Sequence, residues 1–378
     1  MSILMLLKCD SVAHDDRVRK ECESMFKHNL DVTLFAMQKE NIKSTTTEYE
    51  SESQVISVRR ISKGLVCGRI SKILELLEFF IYSLPMLFKP RRTVWLHDPI
   101  FFYYIPLLLI LRKVGMLNQI VWDQHELPPL VVENNRFTNW VFRKLMNSVD
   151  VLIVANNERG EYIRSRYCAN ISYSVIRNFV DDSFIQEKSK PIPESVSNWL
   201  GGSEYILLQS GAYKERNFIS VADAICTEVK HKVVVLGNFD DELKNRLATK
   251  YSAFYDHFYF TGMVPTLRIV DYLDRCLFSL ILYNKDTPNS ELCEPNRFFY
   301  AVCRKVPVVC GNNLTMKNLM VNHGGLVLED DGRDSKKLAY SLKSYISLET
   351  KELCIDRSYR YLWRENEDVI ESILTKYK

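Results

Sequence analysis

Glu294-Pro295-Asn296-Arg297-Phe298-Phe299-Tyr300-Ala301, closed by Val306-Pro307-Val308-Val309, reads as a loop, a helix and then a buried strand. Pro295 suits the first helical turn, where its missing N–H leaves no gap in the hydrogen-bond ladder. The backbone N–H groups of that turn are free, and with Arg297 beside them the helix start can hold an anion. Val306 to Cys310 is short and apolar, the pattern of a strand covered on both faces in a parallel sheet. An ordinary packing helix gives the same pattern, so this segment alone leaves both readings open.

Working outward, strands fit at Tyr205–Gln209, Lys232–Leu236, Phe258–Thr261, Phe278–Leu282 and Gly325–Leu328, with helices between them. The first part of the chain has the same rhythm. A strand at Ile3–Leu7 and a helix at Asp15–His28 precede strands at Val32–Ala36, Val55–Val58, Thr93–Leu96, Gln119–Trp122 and Val151–Val154. Alternating β and α elements imply parallel sheets with helices on both faces. The polar stretch Lys188-Ser189-Lys190-Pro191-Ile192-Pro193-Glu194-Ser195 breaks the rhythm and reads as a linker. The expected fold is α/β, with two Rossmann-like, doubly wound domains facing a central cleft. Its expected parts are a first domain at 1–184, a linker region at 185–203, a second domain at 204–355 and a C-terminal helix at 356–378, whose return to the first domain is implied by a family resemblance. In such sheets ligands sit beyond the carboxyl ends of the strands.

Bulk properties agree with this. At 378 residues, 47% hydrophobic and 26% charged, the chain can build two cores. A net charge of +3 is too small to argue for nucleic acid. The ten cysteines form no CxxC pair and have no histidines at zinc spacing, which argues against structural zinc. Met1-Ser2-Ile3-Leu4-Met5-Leu6-Leu7 lacks a basic leader, so reduced thiols in the cytoplasm are expected. The apolar run Pro99–Leu111 is far short of the roughly 20 residues that span a bilayer.

Four constellations fall at strand ends. In His14-Asp15-Asp16-Arg17, an aspartate suits a helix cap and leaves Arg17 to contact a ligand. His97-Asp98-Pro99 and Asp123-Gln124-His125-Glu126-Leu127-Pro128-Pro129 pair a histidine with a carboxylate, which can hold a hydroxyl or move a proton. His97 reads equally as a structural histidine, whereas prolines fix the loop that carries His125. In Ser210-Gly211-Ala212-Tyr213-Lys214-Glu215-Arg216-Asn217, Gly211 permits close backbone approach, and Lys214 and Arg216 can neutralise a diphosphate. The alternative is that Asn217 caps the next helix and both cations are solvated. No GxGxxG or GxxxxGK[ST] is present, which removes the main support for a dinucleotide oxidoreductase or a P-loop kinase. No acidic pair stands at a convincing strand end, so no metal and no cofactor is expected.

In this order and spacing, the segments resemble the GT-B glycosyltransferases of the retaining, family-four-like group over nearly the whole chain. His14-Asp15-Asp16-Arg17-Val18-Arg19-Lys20-Glu21 with Asp31-Val32-Thr33-Leu34 is similar to the family's first βαβ unit. His97-Asp98 and Asp123-Gln124-His125-Glu126 resemble its acceptor-side strand ends, and Gly211 to Asn217 its first loop of the second domain. Phe260-Thr261-Gly262-Met263-Val264 resembles the strand end that lines the base pocket. Pro295-Asn296-Arg297-Phe298-Phe299 resembles the donor-site helix, and Tyr361-Leu362-Trp363 the entry to the last helix. The resemblance implies sugar transfer from a nucleotide-sugar with retention, without a metal. It assigns His125, Lys214 and Arg216 to catalysis, and Arg17, His97, Asp98 and Glu126 to the acceptor. Gly211, Asn217, Gly262, Met263, Glu291, Glu294, Asn296, Arg297 and Tyr300 would bind the donor. Tyr300 stands where the family carries a ribose-binding glutamate, and the partner of that glutamate falls at Leu292, flanked by Glu291. Similar proteins build bacterial polysaccharide or lipopolysaccharide. A GT-B epimerase or a degenerate scaffold subunit are the alternatives.

Between Val55 and Gly115 stand ten Lys/Arg and three Asp/Glu. The run Val66, Ile70, Ile73, Leu74, Leu77, Phe80, Ile81, Leu84 adds an apolar stripe followed by Lys89, Arg91 and Arg92. Such a region suits an anionic membrane surface and a lipid-linked acceptor, with the protein peripheral on the inner face of the cell membrane. Equally, the stripe is core and the cations a solvated face.

Overall fold

The computed structural model describes residues 2–9, 12, 15–38, 54–58, 69–89, 92–167, 172–348 and 361–375. The chain divides into two compact units, Met1–Arg177 with Arg364–Lys378, and Asn178–Trp363.

The first unit is built on strands β1 (Ser2–Cys9), β2 (Asp31–Gln38), β3 (Gln54–Val58), β4 (Arg92–His97), β5 (Leu117–Gln124), β6 (Val151–Val154) and β7 (Tyr173–Val175). They pair in parallel in the order β3-β2-β1-β4-β5-β6-β7. Ile3 to Leu7 and Leu152 to Val154 are completely or almost completely buried, as strands covered on both faces require. Helix α1 (Asp16–Lys27) starts where Asp15 accepts a hydrogen bond from the Val18 N–H at 3.2 Å, so Asp15 is the cap. Asp16 instead pairs with Arg19 and Lys20. Helices α2 (Arg69–Leu87), α3 (Ile105–Lys113), α4 (Leu130–Asn134), α5 (Arg136–Met146) and α6 (Asn157–Arg166) alternate with the strands. The C-terminal helix Arg364–Thr375 joins this unit through Asn366, which exchanges hydrogen bonds with the Arg177 backbone. The buried Gln119 amide also donates to the carbonyl of Ile373. Strand β7 has no counterpart in the expected pattern because Tyr173-Ser174-Val175 is short and only half-buried.

The second unit carries β8 (Tyr205–Gln209), β9 (Lys232–Leu236), β10 (Phe258–Gly262), β11 (Phe278–Ile281), β12 (Val308–Cys310) and β13 (Gly325–Val327), all parallel, in the order β10-β9-β8-β11-β12-β13. The strand expected from Val306 begins only at Val308, because Pro307 has no N–H to give the ladder; its carbonyl accepts from Ser279.

The linker expected at 185–203 is part of this second unit. Phe184, Val196 and Leu200 from short helices at Asp182–Gln186 and Glu194–Leu200 lie in its core, and the division falls at Arg177. Polar, proline-rich composition marked the turn between those helices, where Pro193 caps the second. Val180 and Leu362 pair as a parallel bridge, so the chain enters and leaves this unit side by side.

Candidate functional site

In both sheets the strand order reverses beside the first strand, β1 or β8, and the candidate residues cluster at the carboxyl ends next to that point.

In the second unit, Arg216 ends a short 3-10 turn, Lys214–Arg216, that follows β8. Arg297 lies in the first turn of the helix Asn296–Cys303. Between them lies Tyr283, just beyond β11. The Arg297 guanidinium carbon is 4.7 Å from its ring centroid and that of Arg216 is 5.3 Å away. Arg297 Nη1 donates to the carbonyl of Gln209, at the end of β8. Its Nε and Nη2, and Nη1 of Arg216, are buried without a hydrogen-bond partner among the described residues. Neither arginine forms an ion pair among the described residues. Burial, then the charge of Arg216, push Arg297 down to about 10. Burial likewise pushes Tyr283 up to about 12. Two like charges with idle donors are costly unless an anion joins them, and a diphosphate supplies the missing acceptors.

The other residues expected at the donor differ in their fit. Lys214 is exposed on the same 3-10 turn. Gly211 is bare because a Cβ there would lie 2.3 Å from Cγ of Leu208, so it serves packing. Asn217 is held in the left-handed region at φ 53° at the N-cap position, but its side-chain amide donates to the Asp331 carbonyl at 2.9 Å and makes no cap bond to the helix. Gly262 takes φ 73° at the end of β10, and Met263 beyond it is exposed. Glu291 accepts from the Leu314 N–H at 2.9 Å, Glu294 is buried, and Asn296 accepts from the Arg297 N–H. Tyr300 is a correction: its ring stacks on Phe184 at 4.6 Å inside the core, one helical turn past Arg297, and does not present itself to a ribose.

In the first unit, register places His97 beside Asp123, at the ends of β4 and β5. Arg17 reaches this pair from α1. Its Nε and Nη2 donate to both Asp123 oxygens at 2.9–3.1 Å, its Nη1 to the Ile176 carbonyl at 2.6 Å, and Glu21 lies 3.0 Å from Nε. His97, fully buried, has Nδ1 3.5 Å from Asp123 and Nε2 3.7 Å from Glu21. Arg17 is therefore a correction, its guanidinium being consumed by internal partners, and His97 is a second one because it is fully buried between two carboxylates.

Burial opposes the charge on Asp123, but Arg17 and His97 outweigh it and hold its carboxyl well below the usual range. Burial pushes Glu21 up to about 8 against the pull of Arg17. Burial would lower His97, but the hydrogen bond it donates to Asp123 and the charge of Glu21 raise it.

His125 is half-buried, with no hydrogen-bond partner for Nδ1 among the described residues, its ring 6.5 Å from His97, and its carbonyl accepts from Arg159. Asp98 sits at φ 97°, caps the 3-10 turn Pro99–Tyr104, and is raised in pKa by burial, with His125 opposing. Glu126 is partly exposed, 3.6 Å from Arg159. Nitrogens of His97 and His125 and an oxygen of Asp123 lie within 4.8 Å of one another, a set that can ligate a metal ion. The guanidinium of Arg17 already supplies positive charge to both Asp123 oxygens.

Tyr283, Glu21 and Arg159 were not singled out from sequence. Glu21 follows Arg17 by four residues on one helical face, the spacing of an ion pair. Tyr283 is the aromatic just past an apolar strand, where a ligand contact is expected.

No family model matches the chain, and no curated protein matches it in sequence. Its fold does match solved structures. A sucrose-phosphate synthase from Thermosynechococcus elongatus superposes with TM-score 0.72 at 12% identity, over 100% of this chain and 99% of that one. Anabaena HepE, solved with UDP and glucose, gives TM-score 0.67 at 12% identity, over 100% of both chains. A trehalose-6-phosphate protein from E. coli bound to UDP-2-fluoro glucose gives 0.64 at 13% identity, over 98% of this chain and 95% of that one. The two doubly wound units thus have the GT-B fold.

Proposed function

We propose that this chain transfers a sugar from a nucleotide-sugar to a glycan or lipid-linked glycan, with retention at the anomeric carbon. The observation that carries the reading is the pair of guanidiniums around Tyr283, with buried donors that find no hydrogen-bond partner among the described residues. Structures of the same fold hold UDP or a UDP-sugar, which is the ligand class such a pair suits. Arg216 and Arg297 hold the diphosphate and stabilise the charge that develops on it as the glycosidic bond breaks. Lys214 adds charge from the turn; at the start of the helix Asn296–Cys303 the Arg297 and Phe298 N–H groups already donate to Asn296 and Pro295.

No metal is needed in this scheme, because arginine supplies the positive charge in both units. Glu291 or Glu294 reaches the donor sugar. His125, with Asp98 and Glu126 beside it, positions the acceptor hydroxyl through its Nδ1, which has no hydrogen-bond partner among the described residues. Retention and a role in bacterial polysaccharide or lipopolysaccharide assembly rest on the order of the motifs. The excess of cations between Val55 and Gly115 supports work at the inner face of the membrane.

A panel of nucleotide-sugars tests this by binding and slow hydrolysis. Hydrolysis of one donor that is lost in Arg216→Ala is the expected result. Conversion to an epimer would favour the epimerase alternative, and failure to bind any nucleotide would leave only a scaffold.

A further inference from the structure

The outer surface of α5 is unlike an ordinary solvated helix face. Phe137 and Trp140 are each more than half exposed, and their rings stack on one another at 6.3 Å. Arg136, Arg143 and Lys144 share that exposed face, while Phe142 and Met146 are buried on the opposite one. Between Arg136 and Met146 there is no acidic residue. Glu133, the acid just before, is buried and accepts from the Tyr162 hydroxyl at 2.6 Å. Arg136 and Lys144 form no ion pair among the described residues.

A second stripe lies on α2. Ile70, Ile73, Leu77 and Ile81 recur at helical spacing and are each more than half exposed, whereas Phe79, Ser83 and Leu87 face the core. The stripe is therefore not core. Ring contacts tie the helices into one layer: Phe80 of α2 lies against Tyr103 and Tyr104, and Phe102 lies 5.0 Å from Phe142 of α5. Isolated exposed apolar side chains need no explanation, but a stacked aromatic pair rimmed by cations on α5, in one layer with an exposed aliphatic row on α2 that also carries Lys72, Glu75 and Glu78, does.

We infer that this helical layer, with Phe137 and Trp140 of α5 at its centre, docks on the surface of an anionic phospholipid bilayer. Charge chooses the occupant. A two-fold contact between copies would set the patch against itself and bring Arg136 and Lys144 against like charges. An anionic lipid surface offers the opposite sign, and the stacked rings are the amphipathic side chains that settle at headgroup level. Among the described residues no helix is long and apolar enough to cross a membrane, so the layer lies on the bilayer. The inference deepens the lipid-linked acceptor reading and rests on it for its purpose, but its test uses neither donor nor acceptor.

Flotation of the full chain with phosphatidylglycerol-containing vesicles should show binding that falls with salt and is absent on pure phosphatidylcholine. Phe137→Ser with Trp140→Ser should weaken it by roughly tenfold or more. Arg136→Gln and Lys144→Gln should each cost about fivefold. Lipids brominated along the acyl chain should quench Trp140, seen as quenching lost in Trp140→Phe. UDP binding, measured in parallel, should be the same in all variants; this separates loss of docking from misfolding and from failure of the donor reading. Absent binding, or binding equal in wild type and variants, overturns the inference. So does a concentration-dependent dimer that the Phe137/Trp140 variant abolishes, which would assign the face to a second copy.

Discussion

Replacing Arg297 with Met keeps a long side chain over Tyr283 and removes its charge. Without a ligand that charge is disfavoured, since burial and Arg216 push the guanidinium from 12.5 to about 10. At roughly 1.4 kcal/mol per unit, this opposes the charged form by about 3 kcal/mol. The lost hydrogen bond to the Gln209 carbonyl offsets about 1.5–3 kcal/mol of the relief. Unliganded Arg297→Met should therefore unfold within about 2 kcal/mol of wild type. The ligand response should differ sharply. UDP at a hundred times its Kd stabilises a one-site protein by about 2.7 kcal/mol. Loss of a charge-assisted contact of about 2 kcal/mol raises Kd roughly thirtyfold and leaves a gain below ~1 kcal/mol. Urea unfolding followed by circular dichroism, with and without UDP, measures both quantities. A variant that keeps the full UDP gain would refute the assignment of the anion site. A fall of more than about 4 kcal/mol without ligand would show instead that the guanidinium is a structural strut.

Arg17→Met should cost about 3–5 kcal/mol, because it leaves the Asp123 carboxylate buried and unpaired; an unchanged urea midpoint would contradict the buried clamp. Glu21 gives a pH signature. Its folded pKa of about 8 exceeds the ordinary 4.5, so the folded state holds a proton that the unfolded chain releases, and stability falls as pH rises through that window. His97, also raised, adds a fall of the same sign above its ordinary 6.5. Glu21→Gln should flatten the profile of unfolding midpoint between pH 5 and pH 8, and parallel profiles for the two proteins would sink the assignment.

Much of the architecture was legible because a parallel strand covered on both faces must be a continuous apolar run. Tyr205–Gln209, Lys232–Leu236 and Val151–Val154 were read with the ends they have in the structure. The division between units was not, because composition reports local polarity while the division depends on which core Phe184 and Val196 join. At the site, loop position and charge pointed to Arg216 and Arg297. The same logic placed Arg17 and His97 at an acceptor, where the structure spends them on each other's neighbours. A charge at a strand end looks alike in sequence whether its partner is a ligand or an aspartate more than a hundred residues away. Tyr300 shows the converse: its position matched a family's ligand contact, but only packing reveals that its ring belongs to the core.

The bridge between Val180 and Leu362 has a consequence for how the molecule is made. Everything from Asn178 to Trp363 leaves the ribosome before the helix Arg364–Thr375. Until that helix emerges, Gln119 has no Ile373 carbonyl and the Arg177 backbone has no Asn366. The unit begun first is thus completed last, and during synthesis it waits with a buried amide unmatched and a flank of its sheet uncovered. Truncation within the last helix should therefore harm the N-terminal unit while sparing the unit nearer the cut in sequence.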